Sequence, residues 1–346
     1  MPLFTKLKAF FHKKESKDIL GLAFRPQSLA FCHLSEEGDA SYENIPVNAE
    51  HYSEALESLK VEYNLSGHCH IVLAASMYQI VQVDKPNVPE EEVSSALKWQ
   101  IKGLVQFAPE NMVVDYFDAP GVVGSSEKIN VVCASLSDIK AMVEQLNHDG
   151  FSVKSISTEE FAFASLVPVT DDACLLVCQQ PNEEVMLLII KQGKIYFYRR
   201  LRGFIEIAHR SEAELAMSVI DALSLEIQRS TDYFERQLKQ APIKNIKIIL
   251  PVGTESFIAR KLAENTNIPV NLLELGDIES ASLKLITSSR ENVSEGIGNL
   301  ENSAIAAMDE VDPNVEMNNK TQIDRGFAAA LGVTMLNRAV KQHGVN

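Results

Sequence analysis

The sequence predicts an α/β protein of two strand-rich halves, with a small α+β unit inserted in the first. Three observations lead there. Pairs of hairpin-like apolar runs open at Ile19 and again at Ala173, each followed by alternating helix and strand patterns, and a helix-strand-strand-helix run interrupts the first cycle. The chain has 346 residues, 46% of them hydrophobic and 23% charged, which supplies the apolar surface for about two domains.

In the first half, residues 19–25 and 28–34 read as strands around a Pro26-Gln27 turn, with a third strand over 41–47 and a helix near 51–63. Strands are predicted over 70–75 and 79–83. Pro89 then opens a helix whose positive end is suited by Glu90, Glu91 and Glu92, with Val93, Ala96, Leu97, Ile101, Leu104 and Val105 as its apolar face. Strands over 112–117 and 128–136 and a helix over 138–147, stopped at Gly150, complete the insert.

The second cycle has strands near 153–157, 173–178, 185–191 and 194–200, the last two joined at Gln192-Gly193. Ser211 and Glu214 make a capping-box pattern for a long helix over about 212–239, with Leu215, Val219, Leu223, Ile227 and Phe234 on its buried side. A strand (245–252), a helix (256–265), a strand (270–275) and a terminal helix from Phe327 to about Gln342 follow, the last expected to dock on the second half. Two halves with the same hairpin start suggest an internal duplication. The chain divides into residues 1–18; a first lobe, 19–85 and 153–172; the insert, 86–152; a second lobe, 173–275 and 325–342; and 276–324, an acidic segment too polar to offset its own ordering and expected to be mobile.

Charge and composition exclude several classes. A formal net charge of −15 argues against nucleic acid as a partner. The longest apolar run, about 185–190, is far short of the roughly 18–20 residues of a membrane span, and no secretory signal is legible, so a cytoplasmic chain is expected. Cys32, Cys69, Cys133, Cys174 and Cys178 read as buried thiols; His68 and His70 flank Cys69 but lack the second ligand pair of a zinc site. Phosphate-loop, dinucleotide, nucleophile-elbow and zinc-protease motifs are absent. The adjacent carboxyls Glu90 to Glu92, Asp171-Asp172 and Glu183-Glu184 read as solvated or helix-end charge, and Trp99, the only tryptophan, as core or interface anchor. At the N-terminus, Leu3, Phe4, Leu7, Phe10 and Phe11 form one stripe of a helix beside Lys6, Lys8, Lys13 and Lys17. So short a helix needs a surface to fold against: an anionic membrane leaflet, where each lysine contributes about 1 kcal/mol, or the chain's own body.

Several phrases resemble the PilM-type proteins of type IV pilus assembly. They are Leu20-Gly21-Leu22-Ala23-Phe24; Val83-Asp84, Glu90-Glu91, Trp99-Gln100, Phe107-Ala108-Pro109-Glu110-Asn111 and Asp115-Tyr116 in the insert; the run 173–200; and the stretch from Glu226 through Gln228-Arg229-Ser230 to Phe234. The resemblance covers 19 to about 275 and resumes over 326–336. It implies an actin-like fold related to that of the cell-division protein FtsA, with a reduced outer part of the second lobe, on the cytoplasmic face of the inner membrane of a Gram-negative bacterium. It implies as partners the cytoplasmic tail of a PilN-like inner-membrane protein, bound in a groove beside the insert, and other pilus assembly proteins. Strand-edge pairing and apolar pockets would hold such a tail, and the residues expected near it are Gln79, Val81, Val83 and Trp99.

The same resemblance exposes departures. Actin-like ATPases hold phosphates on two hairpin loops whose backbone N–H groups face the anion. Here Ala23 stands where the family has Asp, Arg25-Pro26 occupies the turn, and Ala30 stands at a Lys position. Gln179-Gln180-Pro181 replaces Asp-x-Gly, and Pro181 has no N–H to give. Val252-Gly253 is what remains of the adenosine-side glycine pair, and the segment between Arg202 and Ser211 is short for walling a base. The expectation is a scaffold with no catalytic residue, cofactor or metal; the alternative is a switch that binds ATP with magnesium.

Overall fold

Ile19–Arg25 (β1) and Ser28–Leu34 (β2) pair antiparallel through the Pro26-Gln27 turn, with Arg25 opposite Ser28. The computed structural model describes residues 19–34, 40–47, 52–63, 65, 67–121, 126–275 and 325–342. The amphipathic stripe predicted over 1–18 and the acidic segment over 276–324 lie outside them.

Ala40–Pro46 (β3) pairs antiparallel with β2, whereas Gly67–Val72 (β4) and Phe151–Ser157 (β8) extend the other side in parallel, giving the order β3-β2-β1-β4-β8. Between β3 and β4 lies Tyr52–Glu62 (α1), and before β8 lies Leu136–His148 (α3), capped by the Ser135 hydroxyl on the Asp138 N–H. The second sheet repeats this plan. Cys174–Cys178 (β9), Val185–Lys191 (β10) and Lys194–Leu201 (β11) form an antiparallel meander, and Asn245–Ile249 (β12) and Val270–Leu272 (β13) add in parallel, in the order β11-β10-β9-β12-β13. The helix Ile220–Asp232 (α5) corresponds to α1, and Glu255–Thr266 (α6) to α3. The duplication suggested by the two hairpin starts is therefore a topological fact. Strands covered on both faces read as continuous apolar runs, as β1, β9 and most of β10 do.

The predicted long helix is α5 with π-helical turns on either side, Leu215–Val219 and Tyr233–Gln237, behind the capped turn Glu212–Glu214. All five residues expected on its inner side are buried. The insert is a third, antiparallel sheet of Tyr78–Asp84 (β5), Met112–Asp118 (β6) and Lys128–Ser135 (β7) in the order β5-β7-β6, covered by Glu90–Gln100 (α2). Both its expected bounds, 86 and 152, shift: β5 pairs with β7 along its whole length and with no strand of the first lobe among the described residues, and α3 packs with Ile139, Met142 and Leu146 in the first-lobe core ahead of β8, which begins at Phe151. α2 stops at Gln100, so Leu104, expected on its apolar face, lies beyond the helix and is exposed.

Two helices were not placed correctly by sequence. Glu159–Ala164 (α4) follows β8 and was not predicted; six residues are too few to show a helical period. Ala328–Gln342 (α7) was expected on the second half, but it packs on β1, β2 and β4 of the first sheet and against α4, which in turn touches β10 and β11. The helix that ends each half so fills the space between the lobes. Close approach requires small residues: a Cβ on Gly332 would lie 1.9 Å from the Ala162 carbonyl oxygen, and one on Gly21 would lie 2.1 Å from that of Ala330. The Ser165 hydroxyl donates to the Gly332 carbonyl at 2.6 Å and closes this crossing.

Candidate functional site

The cleft between the lobes is where an actin-like ATPase would hold phosphate, and here side chains of the protein span it. Arg25 ends β1 with only 1% of its surface exposed. Its Nε donates to Gln180 Oε1 at 2.6 Å, one terminal nitrogen to Asn44 Oδ1 at 3.2 Å, and the other to the carbonyl of Gly326. Tyr52 holds the backbone there, its hydroxyl donating to the Arg25 carbonyl at 2.6 Å. Gln180 passes the chain on, its amide donating to Glu159 Oε1. Glu159 pairs with Arg200 at 2.7 Å, Arg200 pairs with Glu160 at 2.9 Å, and the Tyr78 hydroxyl accepts from Arg200 at 2.7 Å while donating to Glu160 at 2.6 Å. Residues of β1, of the β9–β10 turn, of α4, of β11 and of β5 are thus joined in one buried network.

Its electrostatics follow from burial. Removal from water lowers the Arg25 pKa to about 10, against the pull of Glu183 and Glu159. Burial acts the same way on Arg200, but Tyr78, Glu159 and Glu160 outweigh it and hold the guanidinium above its ordinary value. Glu183, 3.9 Å from Arg200, is pushed up to about 8 by burial and by the neighbouring Glu159 carboxyl. Two guanidinium groups face three carboxyls, so a proton kept on Glu183 balances the cluster. This corrects the sequence reading of Glu183-Glu184 as solvated charge: the Glu183 side chain is only 11% exposed, and Glu184 accepts the N–H groups of Gly203 and Phe204 at 2.9 and 2.8 Å.

The suspected phosphate-loop positions come together only in part. Arg25, Pro26, Pro181, Asn182, Ile205 and Glu206 line a remnant cavity of about 260 Å³. Gln179 is turned away, its amide donating to the carbonyls of Glu183 and Phe204 at 2.6 and 3.3 Å. Ala23 and Ala30 face each other across the hairpin in the core filled by α7, and Gly253 lies exposed before α6. Among the described residues the one cation lining this cavity, Arg25, is already committed to three acceptors, Pro26 and Pro181 have no N–H to donate, and Glu206 adds a negative charge. Among the described residues no group of three His, Cys, Asp or Glu side chains could hold a metal ion, and His70 instead faces the Ser155 hydroxyl at 2.8 Å.

A second feature is a groove of about 400 Å³ between the insert and the first lobe, with Leu73, Val113, Phe117, Ile139, Ile156 and Phe161 on its walls. Its rim is β6, the edge strand of the insert sheet, whose outer side no strand pairs with among the described residues. Phe117 meets Phe161 edge to face at 4.9 Å and forms the floor, while Val113 and Ile156 stay partly open to solvent. The four residues expected at such a groove are elsewhere. Gln79, Val81 and Val83 lie on β5, the opposite edge; Val81 and Val83 pack under α2, and the Gln79 side chain accepts the Gln106 N–H at 2.9 Å. Trp99 is exposed at the end of α2 and lines no part of it. The β-rich run over 112–117 marked a strand, but nothing local tells an outer edge from an inner one.

No family model matches the chain, and no curated protein matches it by sequence. Among solved structures, a chain of the PilM-PilN type IV pilus biogenesis complex superposes with a TM-score of 0.63 at 16% identity, over 91% of this chain and 97% of that one. The cytoplasmic domain of EpsL, an inner membrane component of the type II secretion system of Vibrio cholerae, gives 0.45 at 14% identity over 68% and 83% of the two chains. A Bacteroides thetaiotaomicron protein with an actin-like ATPase fold gives 0.45 at 11% identity over 83% and 99%. With its duplicated five-stranded sheets and its insert after β4, this chain has an actin-like α/β fold of the kind present in the PilM-PilN complex.

Proposed function

We propose that this protein is a non-catalytic scaffold of a type IV pilus assembly machinery, of the MshI type serving the mannose-sensitive haemagglutinin (MSHA) pilus, which holds the cytoplasmic tail of a PilN-like inner-membrane protein. The observation that carries this reading is the apolar groove whose rim is the open edge of β6. An extended tail can add to that edge by main-chain hydrogen bonds and seat alternate side chains between Val113 and Ile156. The network through Arg25, Gln180, Glu159 and Arg200 supports the non-catalytic half, since a nucleotide would have to displace it. The chain would work in the cytoplasm at the anionic surface of the inner membrane, with the lysines and phenylalanines of residues 3–11 as one contact and other pilus assembly proteins as neighbours. No helix among the described residues is long and apolar enough to cross a membrane itself.

The test is fluorescence anisotropy of a labelled synthetic peptide, the N-terminal tail of the same organism's PilN-like protein, titrated with the full chain. Replacing Val113 and Ile156 together by Asp should weaken binding at least about tenfold, because a desolvated carboxylate in an apolar groove costs more than 1.4 kcal/mol. Equal affinity in parent and variant would refute the groove. A saturable rise in melting temperature with Mg-ATP would instead favour an ATP-bound switch.

A further inference from the structure

Between Glu92 and Glu110 the chain carries Lys98 and Lys102 and no acidic residue, although acidic residues outnumber basic ones 47 to 32 overall. This stretch forms the end of α2 and the loop into β6. It turns large apolar side chains outward: Trp99 and Leu104 are each 61% exposed. They are held there by structure and are not fraying. Leu97 and Ile101 are buried beneath them, the Ile101 N–H bonds the Leu97 carbonyl at 2.9 Å, and the Leu104 N–H bonds that of Ile101 at 2.9 Å across Gly103, whose φ of +83° makes the turn. The Gln100 amide ties the helix end to the Asp84 carbonyl at 2.8 Å, and Lys102 Nζ lies over the Trp99 ring, 5.5 Å from its centre.

We propose that this tip of the insert is a docking surface for an anionic lipid bilayer. A tryptophan sits well at the headgroup level, a leucine beside it enters the acyl boundary, and flanking lysines reach the phosphates. The charge pattern selects that occupant: on a body of net charge −15, an exposed apolar patch whose own stretch carries two lysines and no acidic residue, with the nearby Asp84 carboxylate paired to Lys128 at 3.3 Å, is the face an anionic surface attracts, while the rest is repelled. The position agrees. The loop leads through the turn Pro109–Asn111 directly into β6, so a tail rooted in the membrane and lying along β6 would start beside it. The inference rests on the proposal that the protein works at a membrane face, but not on the tail binding in the groove.

Trp99 is the only tryptophan, so its own fluorescence reports the contact. The full chain is mixed with phosphatidylglycerol-rich vesicles, with phosphatidylcholine vesicles, and with vesicles of brominated phosphatidylglycerol. Insertion shifts the emission to the blue and brominated lipid quenches it, with phosphatidylglycerol only and less at high salt. Replacing Lys98 and Lys102 together by Glu should weaken partitioning roughly thirtyfold or more. Emission that is neither shifted nor quenched overturns the proposal, even if the chain sediments with the vesicles, because residues 1–18 can then account for the binding without the tip. Peptide anisotropy run without vesicles reads the groove separately, so failure of one does not hide the other.

Discussion

Replacing Arg25 by Met removes the guanidinium that links the β1–β2 turn to both Gln180 and the Gly326 carbonyl while keeping most of the apolar stem. The carbonyl of Gly326 and the Oε1 of Gln180 lose their donor in a site where Arg25 itself is 1% exposed. Each orphaned buried acceptor costs about 1–3 kcal/mol, and losing the charge that faces Glu159 and Glu183 acts in the same direction, so a loss of about 3–5 kcal/mol is expected. That figure is a large share of the roughly 5–15 kcal/mol available to a folded domain. Urea unfolding followed by circular dichroism at pH 7 measures it, as a lower midpoint at unchanged slope. The double variant with Gln180→Met should lose less than the sum of the two single losses, since they share one hydrogen bond. A loss under about 1 kcal/mol for Arg25→Met, or strict additivity in the cycle, would falsify the view that this arginine cross-links the cleft.

Glu183 sets a pH dependence. Its carboxyl keeps a proton up to about pH 8 in the folded protein but releases it near 4.5 when unfolded, so stability falls as pH rises between those values, by at most about 1.4 kcal/mol per unit. Glu183→Gln should flatten that fall, and equal slopes in parent and variant would rule out Glu183 as its source. Gly332→Ala drives a methyl group into the Ala162 carbonyl and should cost at least about 3 kcal/mol, the upper end of overpacking, whereas Gly121→Ala, with open space around it, should be neutral; similar melting temperatures would contradict the α4–α7 crossing. All five cysteines are buried, and burial holds Cys69 up at about 12 and Cys133 and Cys174 at about 11. Ellman's reagent at pH 8 should therefore find no fast-reacting thiol before denaturant is added and five after it.

Local pattern carried most of the secondary structure. Apolar β-rich runs on either side of the Pro26-Gln27 turn placed the first hairpin to the residue, and the capping box at Ser211 with five apolar positions placed the long helix and its buried side. The similar order of elements in the two halves made the duplication legible, because topology follows from element order when connections are short. The altered loop residues at Ala23, Arg25 and Pro181 carry the expectation of a scaffold, which enters here as a proposal.

Periodicity says that a face is apolar; it does not say which other face receives it. For that reason α7 was expected on the other lobe and Glu183 in solvent, and Gln79, Val81, Val83 and Trp99 were named where the cavity beside the first lobe is lined instead by β6. Arg25 and the Gly326 carbonyl are 301 positions apart, and the Ser165 hydroxyl and the Gly332 carbonyl 167. Most elements and their order were legible along the chain, since they depend on neighbouring residues. What spans the cleft and where the groove opens could be read from packing alone, because burial and charge pairing there depend on groups that meet after the two sheets have closed on α4 and α7.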